Sequence, residues 1–202
     1  MIRLSVTDLE SYRFWKDDED ATPEDMIRRL RRLDPPTDQM EAGRAFAKVM
    51  EHADPRHELT VAECDGWTFR FDGDWDLSLP DLRELKVEQV FQTPSGPVTL
   101  VGKVDGTVGV VVRDQKLTQR WDAEKYLDSL QWRAYLLMLA ATAFIYDVFV
   151  GRYRGREVTV TEYHPLLFYA YPEMRQDVER AVCELAAFVA RYLPDLVLRD
   201  AA

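Results

Sequence analysis

Asp105, Asp114 and Lys116 are the residues of this 202-residue chain whose types and spacing could do chemistry. They lie in Gly102-Lys103-Val104-Asp105-Gly106 and in Val110-Val111-Val112-Arg113-Asp114-Gln115-Lys116. Alternate residues of a strand point the same way, so Asp-x-Lys puts a carboxylate and an ammonium on one face. An edge strand with polar ends would look the same, and the turn between the two strands separates the readings. If Asp105-Gly106 is the two-residue loop, Asp114 stands roughly 26 Å up the returning strand. If Gly109-Val110 is the loop, with glycine first as a type II′ turn prefers, Val108 pairs with Val111 and Asp105 falls opposite Asp114. Opposed residues have Cβ atoms about 4.5–5.5 Å apart, and two carboxylates that close repel unless a cation sits between them. Asp105-Gly106 is the stronger dipeptide signal, but only the later turn makes a metal site. The later turn is the expectation.

Several elements must position these residues. Thr7-Asp8-Leu9-Glu10 reads as a capping box opening a short helix through about Trp15. A second helix is expected over Pro23–Leu33, with Met26, Ile27, Leu30 and Leu33 as its apolar stripe, and Asp34-Pro35-Pro36 ends it. A third runs from about Gln39 to His52, burying Met40, Phe46, Val49 and Met50. From Trp67 the period becomes two, predicting strands over 67–71, 85–92, 97–105 and 107–116. Asp122 is a plausible N-cap for one long helix to about Phe144. Strands near 145–152 and 157–163 and a last helix over 172–192 complete the pattern. The reading is one α/β domain over 1–202: a helical part over 1–60, a sheet with the motif helix over 65–165, and the C-terminal helix.

Composition bounds the rest. A hydrophobic fraction of 47% with 31% charged residues is that of a soluble globular chain. Two cysteines, Cys64 and Cys183, exclude a disulfide scaffold and a four-cysteine metal site. The apolar run Ala134–Tyr146 is too short to span a hydrocarbon core and reads as a buried helix, so no membrane is expected. The opening residues show no secretory pattern, which points to the cytoplasm. A net charge of −10 argues against adhesion to nucleic acid by overall charge, but a local basic groove survives screening. Arg28, Arg29, Arg31 and Arg32 are either a solvated face balanced by Asp17-Asp18-Glu19-Asp20 or a strand-guiding patch. Arg120, Lys125, Arg133 and the Arg152/Arg154/Arg156 turn are better placed, near the motif helix and its hairpin.

The ordered set Gly102-x-x-Asp105, Asp114-Gln115-Lys116 and Gln131-x-x-x-Tyr135 closely resembles the PD-(D/E)XK nuclease superfamily, in its RecB-type and phage-exonuclease branch. Leu4-Ser5-Val6-Thr7-Asp8-Leu9-Glu10-Ser11-Tyr12 is similar to the opening helix of those proteins. Most of the chain is covered. The resemblance implies a restriction-endonuclease-like core, a mixed sheet with an antiparallel meander flanked by helices. It implies Mg²⁺ or Mn²⁺ held by Asp105 and Asp114, with Glu88 as a further or water-mediated ligand and the Gln115 carbonyl as a backbone ligand. Lys116 would orient or deprotonate the attacking water and neutralise developing charge. Gln131 and Tyr135 share a helix face and would touch the DNA backbone or a terminal nucleotide, with Arg120, Lys125 and Arg133 nearby.

Two departures stand out. Relatives often carry Gly-x-x-x-His on an early helix, whereas Gly43-Arg44-Ala45-Phe46-Ala47 ends in alanine, and His52, His57 and His164 do not replace it by spacing. Phe14-Trp15 stands where some relatives place an iron–sulfur cysteine, so no cluster is expected. The implied function is a metal-dependent DNA nuclease, an exonuclease of recombination, repair or phage replication. It would work alone, as a homo-oligomer or with a recombination partner. The rival is a nuclease fold that has lost activity and serves as a binding or inhibitory protein. Net charge and the missing histidine favour the rival; the intact Asp105/Asp114/Lys116 set opposes it.

Overall fold

A computed structural model describes residues 2–54, 59–73, 75, 80 and 82–198. The N-terminal part holds β1 (Ile2–Ser5), α1 (Val6–Asp17), α2 (Pro23–Leu30) and α3 (Asp38–His52). The sheet follows as β2 (Val61–Cys64), β3 (Trp67–Phe71), β4 (Leu82–Thr93), β5 (Gly96–Val108) and β6 (Val111–Thr118). Two short helices, α4 (Ala123–Leu127) and α5 (Leu130–Leu139), lead into β7 (Ala143–Arg154) and β8 (Glu157–Tyr169). α6 (Met174–Tyr192) and α7 (Pro194–Leu198) close the described chain. His57, named above, lies outside the described residues.

The strands form one mixed eight-stranded sheet in the order β1-β5-β6-β7-β8-β3-β2, with β4 on the other edge of β5. Its faces bury two cores. One gathers α1, α5 and α6 over Leu100, Val104, Val112, Phe144 and Val148; the other seats Phe46 of α3 against Phe69, Phe149 and Val160. The expected restriction-endonuclease-like class, a mixed sheet with an antiparallel meander flanked by helices, is the architecture found.

The feature that matters for chemistry is how β5 shares one edge. β1 pairs with it in parallel at Val98–Val101, and β6 pairs antiparallel at Gly106–Val108. Residues 102–105 lie in the split between those two partners. The ladder runs Val108↔Val111, Thr107↔Val112, Gly106↔Arg113, so the turn falls at Gly109-Val110. Gly109 has φ 56°, a left-handed conformation open to glycine at little steric cost. Tertiary pairing thus overrode the stronger Asp105-Gly106 signal.

Several local expectations are corrected. The long helix from Ala123 is two helices and a strand: Ser129 caps a new start at α5, Ala140 ends it with φ 50°, and Ala143 already belongs to β7. Within the run Ala134–Tyr146, Ala134–Leu136 and Ala143, Phe144 and Tyr146 are buried while Ala140 and Thr142 between them are exposed; a helix and a strand that are both largely apolar could not be parted by periodicity. The capping box of α1 is Ser5 with Asp8, two residues earlier than expected. Ser5 Oγ accepts from Asp8 N, and Asp8 Oδ2 accepts from Ser5 N at 2.8 Å. α2 stops at Leu30, leaving Leu33 exposed, and Met40 in the first turn of α3 is exposed too. β1 and β2 went unpredicted, being four residues each and held by pairing rather than pattern.

Candidate active site

At the split in the β5 edge, one step past the last ladder pair, stand Asp105 and Asp114. No backbone pair is made there; instead Asp105 Oδ2 accepts from the Gln115 N–H at 2.7 Å, a side chain completing what the ladder leaves. Gly102 is required three residues earlier because a Cβ there would overlap the Tyr135 ring. Tyr135 fills the split from α5 and donates its hydroxyl to the Lys103 carbonyl at 2.9 Å.

Asp114 is 2% exposed. Its Oδ1 accepts from Gln131 Nε2 at 2.9 Å, while its Oδ2 touches the Lys116 ammonium but has no hydrogen-bond partner of acceptable geometry. Burial pushes the Asp114 carboxyl up to about 7; Lys116 opposes that push, and Asp105 and Asp147 add to it. For Lys116 burial works downward, yet Asp114 and then Asp105 hold it well above its ordinary value. Lys116 is therefore an ammonium at neutral pH. Its Nζ also lies 5.8 Å from the Tyr146 ring centre.

A second shell holds this pair. Tyr146 and Ser129 hydroxyls are 3.0 Å apart, Ser129 Oγ caps Gln131 N at 3.1 Å, and Glu10 Oε2 accepts from Leu130 N at 2.7 Å. Glu10 thus ties α1 to the N-terminus of α5, where a negative charge is favoured. Sequence reasoning had used Glu10 as the capping acceptor of its own helix. The Ser5-x-x-Asp8 pattern, read first, would have freed it. On the opposite face of β6, Arg113 grips Asp147 through two N–H groups at 2.8 and 2.6 Å, and Tyr163 donates to the same carboxylate at 2.6 Å. That cluster was also missed, because β6 and β7 are parallel neighbours far apart in sequence.

Other expected residues fall elsewhere. Glu88 pairs with Val101 on β4 and makes an exposed ion pair with Arg3 at 3.2 Å. The residue between the pairs that flank Asp105, Leu85↔Val104 and Arg83↔Gly106, is Glu84, which contacts Lys103. Glu88 is four residues further along, about 13 Å at strand rise, so it does not join the carboxylates. Tyr135 is 3% exposed, packed in the core with its hydroxyl on the Lys103 carbonyl. Arg133 turns inward, donating to the Leu127, Asp128 and Ser129 carbonyls and to Tyr171. Arg28, Arg31 and Arg32 pair with Asp34, Asp195 and Asp8 rather than with the acidic run over 17–20. Arg120 is exposed and contacts Thr118 at the end of β6, and Lys125 with Gln131 and Lys116 lines a cleft of about 200 Å³. Gln115 is 9% exposed.

Among the described residues no group of three or more His, Cys, Asp or Glu is placed to hold a metal ion. No described helix is long and apolar enough to cross a membrane. The donors that are present still fit a hard cation in part: two carboxylates, Asp105 and Asp114, with one Asp114 oxygen outside any hydrogen bond.

Among solved structures, the chain is similar to one titled "Crystal structure of SSO0001" at 11% identity and TM-score 0.54, covering 94% of this chain and 77% of that one. It is also similar to "Crystal Structure of LHK-Exo in complex with dAMP" at 14% identity and TM-score 0.49, covering 98% and 92%. No curated protein matches the sequence. A model of the PD-(D/E)XK nuclease superfamily matches residues 10–192, a span that contains Asp105, Asp114, Lys116 and the Gln131–Tyr135 helix. With the strand split, the buried Asp-x-Lys and that match in agreement, the chain belongs to the PD-(D/E)XK nuclease superfamily.

Proposed function

We propose that this chain is a divalent-metal-dependent DNA nuclease that hydrolyses phosphodiester bonds at Asp105, Asp114 and Lys116, acting from a strand end. The observation that carries the reading is Asp114: a buried carboxylate aimed at a lysine and a second carboxylate, with one oxygen lacking a hydrogen bond. A carboxylate buried beside a second carboxylate holds its proton more tightly, and groups perturbed in this way concentrate at functional sites.

Asp105 and Asp114, with the Gln115 carbonyl, would hold Mg²⁺ or Mn²⁺, which when bound supplies an activated water and stabilises charge on phosphate oxygens. Gln131 fixes the Asp114 carboxylate through its amide, leaving the other oxygen for a cation. Lys116, held charged by both aspartates, meets negative charge building on the phosphate. While both carboxylates are ionised it is a poor base, so orienting water and offsetting charge is its stronger role. Lys116 lines a cleft walled by residues of four helices, an approach that a strand end enters more readily than the middle of a long duplex. Recombination, repair or phage replication would be the setting, in the cytoplasm, alone or with a protein partner.

A second reading, a nuclease fold kept for binding, is favoured by one observation: among the described residues no third acid or histidine joins the two aspartates. Incubating the protein with end-labelled linear DNA and Mn²⁺ tests both. Loss of label that stops in EDTA and in Lys116→Ala supports the nuclease; intact DNA at every metal concentration supports the binder.

A further inference from the structure

The cleft at Lys116 has a wall the catalytic reading does not use. Phe14 on α1 lines it and is 40% exposed, an unusual outlay for a phenylalanine beside a core that buries Leu9 and Tyr12 completely or nearly so. The Arg13 guanidinium lies 4.1 Å from the centre of its ring. Arg13 is itself held by Glu10 at 2.8 Å, the carboxylate that also anchors the start of α5. Gln39 of α3, Lys125 of α4 and Gln131 of α5 bound the same cleft, so four helices line the approach to Lys116.

An exposed aromatic ring backed by a cation, with a lysine opposite, is the arrangement that receives unstacked bases of single-stranded nucleic acid. The space agrees. The cleft holds about 200 Å³, the room of roughly seven waters, enough for one nucleobase laid beside Phe14. We infer that this cleft takes the strand as a single strand, with a base stacked on Phe14 and its phosphate presented to Lys116 and Lys125.

The inference rests on the nuclease reading for the direction of the strand, but stacking can be measured without cleavage. Fluorescence anisotropy of a labelled 15-nucleotide oligodeoxynucleotide in EDTA reads binding, and Mn²⁺-dependent degradation of that oligonucleotide and its blunt duplex reads activity. Wild type should bind the single strand in preference to the duplex. Phe14→Ala should weaken single-strand binding by about 5- to 150-fold, the usual worth of one base stack. Phe14→Trp should restore it, and both variants should melt with wild type because the ring is on the surface. Equal binding of duplex and single strand, or single-strand binding unchanged in Phe14→Ala, overturns the inference. Phe14-dependent binding without any degradation in Mn²⁺ or Mg²⁺ upholds it while the nuclease reading falls.

Discussion

Two buried ion pairs stand on opposite faces of β6, and they are finished differently. Arg113 and Asp147 form a closed unit: two guanidinium N–H groups and the Tyr163 hydroxyl share the carboxylate, at 2.6–2.8 Å. One residue along, Asp114 has Gln131 on one oxygen and an ammonium without hydrogen-bond geometry on the other, while Asp105 crowds it with like charge. The first pair satisfies its desolvated charges and locks β6 to β7 and β8. The second is left incomplete at the mouth of a cleft. Burial is common to both, so burial alone does not mark a site; what marks it is a buried carboxylate that meets a second carboxylate as well as its lysine.

That contrast can be broken by experiment, beginning where the effect is largest. Asp147→Ala strands a buried guanidinium and should cost about 3–5 kcal/mol in denaturant unfolding. A loss under 1 kcal/mol would mean the closed pair is no scaffold. Lys116→Ala should cost less stability than Asp147→Ala, because the Asp114 carboxyl left behind can take up a proton, while lowering DNA hydrolysis by about 10²-fold or more, read as kcat on end-labelled DNA. A variant that unfolds instead would make the two pairs alike.

The open pair should also respond to pH and to metal. A carboxyl raised to about 7 in the folded chain, from an ordinary value near 4, binds its proton more tightly when folded. Its contribution to stability is therefore full below about pH 4 and is lost as pH rises through 7. Asp114→Asn, which cannot ionise, should gain on wild type over that window in metal-free buffer and hold a constant margin above it. A margin flat from pH 4 to 8, by melting temperature, would contradict the shift. At about 100 times its Kd, Mn²⁺ should stabilise wild type by about 2.7 kcal/mol, and Asp105→Asn should blunt this. Melting curves with and without EDTA decide it. The smallest effect belongs to Glu88→Gln: its exposed pair with Arg3 is worth about 0–1 kcal/mol, and hydrolysis should be unchanged. A large loss of activity there would return Glu88 to the site.

The sequence was most legible where chemistry and local geometry coincide. Gly102, Asp105, Asp114 and Lys116 sit on two consecutive strands joined by a short turn, so period two and one turn choice brought them together. Gln131 was legible as a helix residue near them, though not as the partner of Asp114. Glu88 misled because strand alternation gives the face but not the height along it. The register, which sets Glu84 and not Glu88 beside Asp105, depends on pairing across β4 and β5. Phe14 and Glu10 reach the cleft from a helix about 100 residues upstream, a distance no local pattern spans.

What the sequence determined by itself was the nature of the groups: two carboxylates and a lysine at the ends of adjacent strands, glycine where a ring must pass, and a glutamine four residues before a tyrosine. Tertiary structure alone decided where the run Ala134–Tyr146 changes from helix to strand, because burial makes both apolar. It also decided which buried charge is left open. Asp114 and Asp147 read alike as aspartates in apolar strands. They part because Arg113 of β6 and Tyr163 of β8 close around one, while the split between β1 and β6 leaves the other beside Asp105, with its lysine lining the cleft.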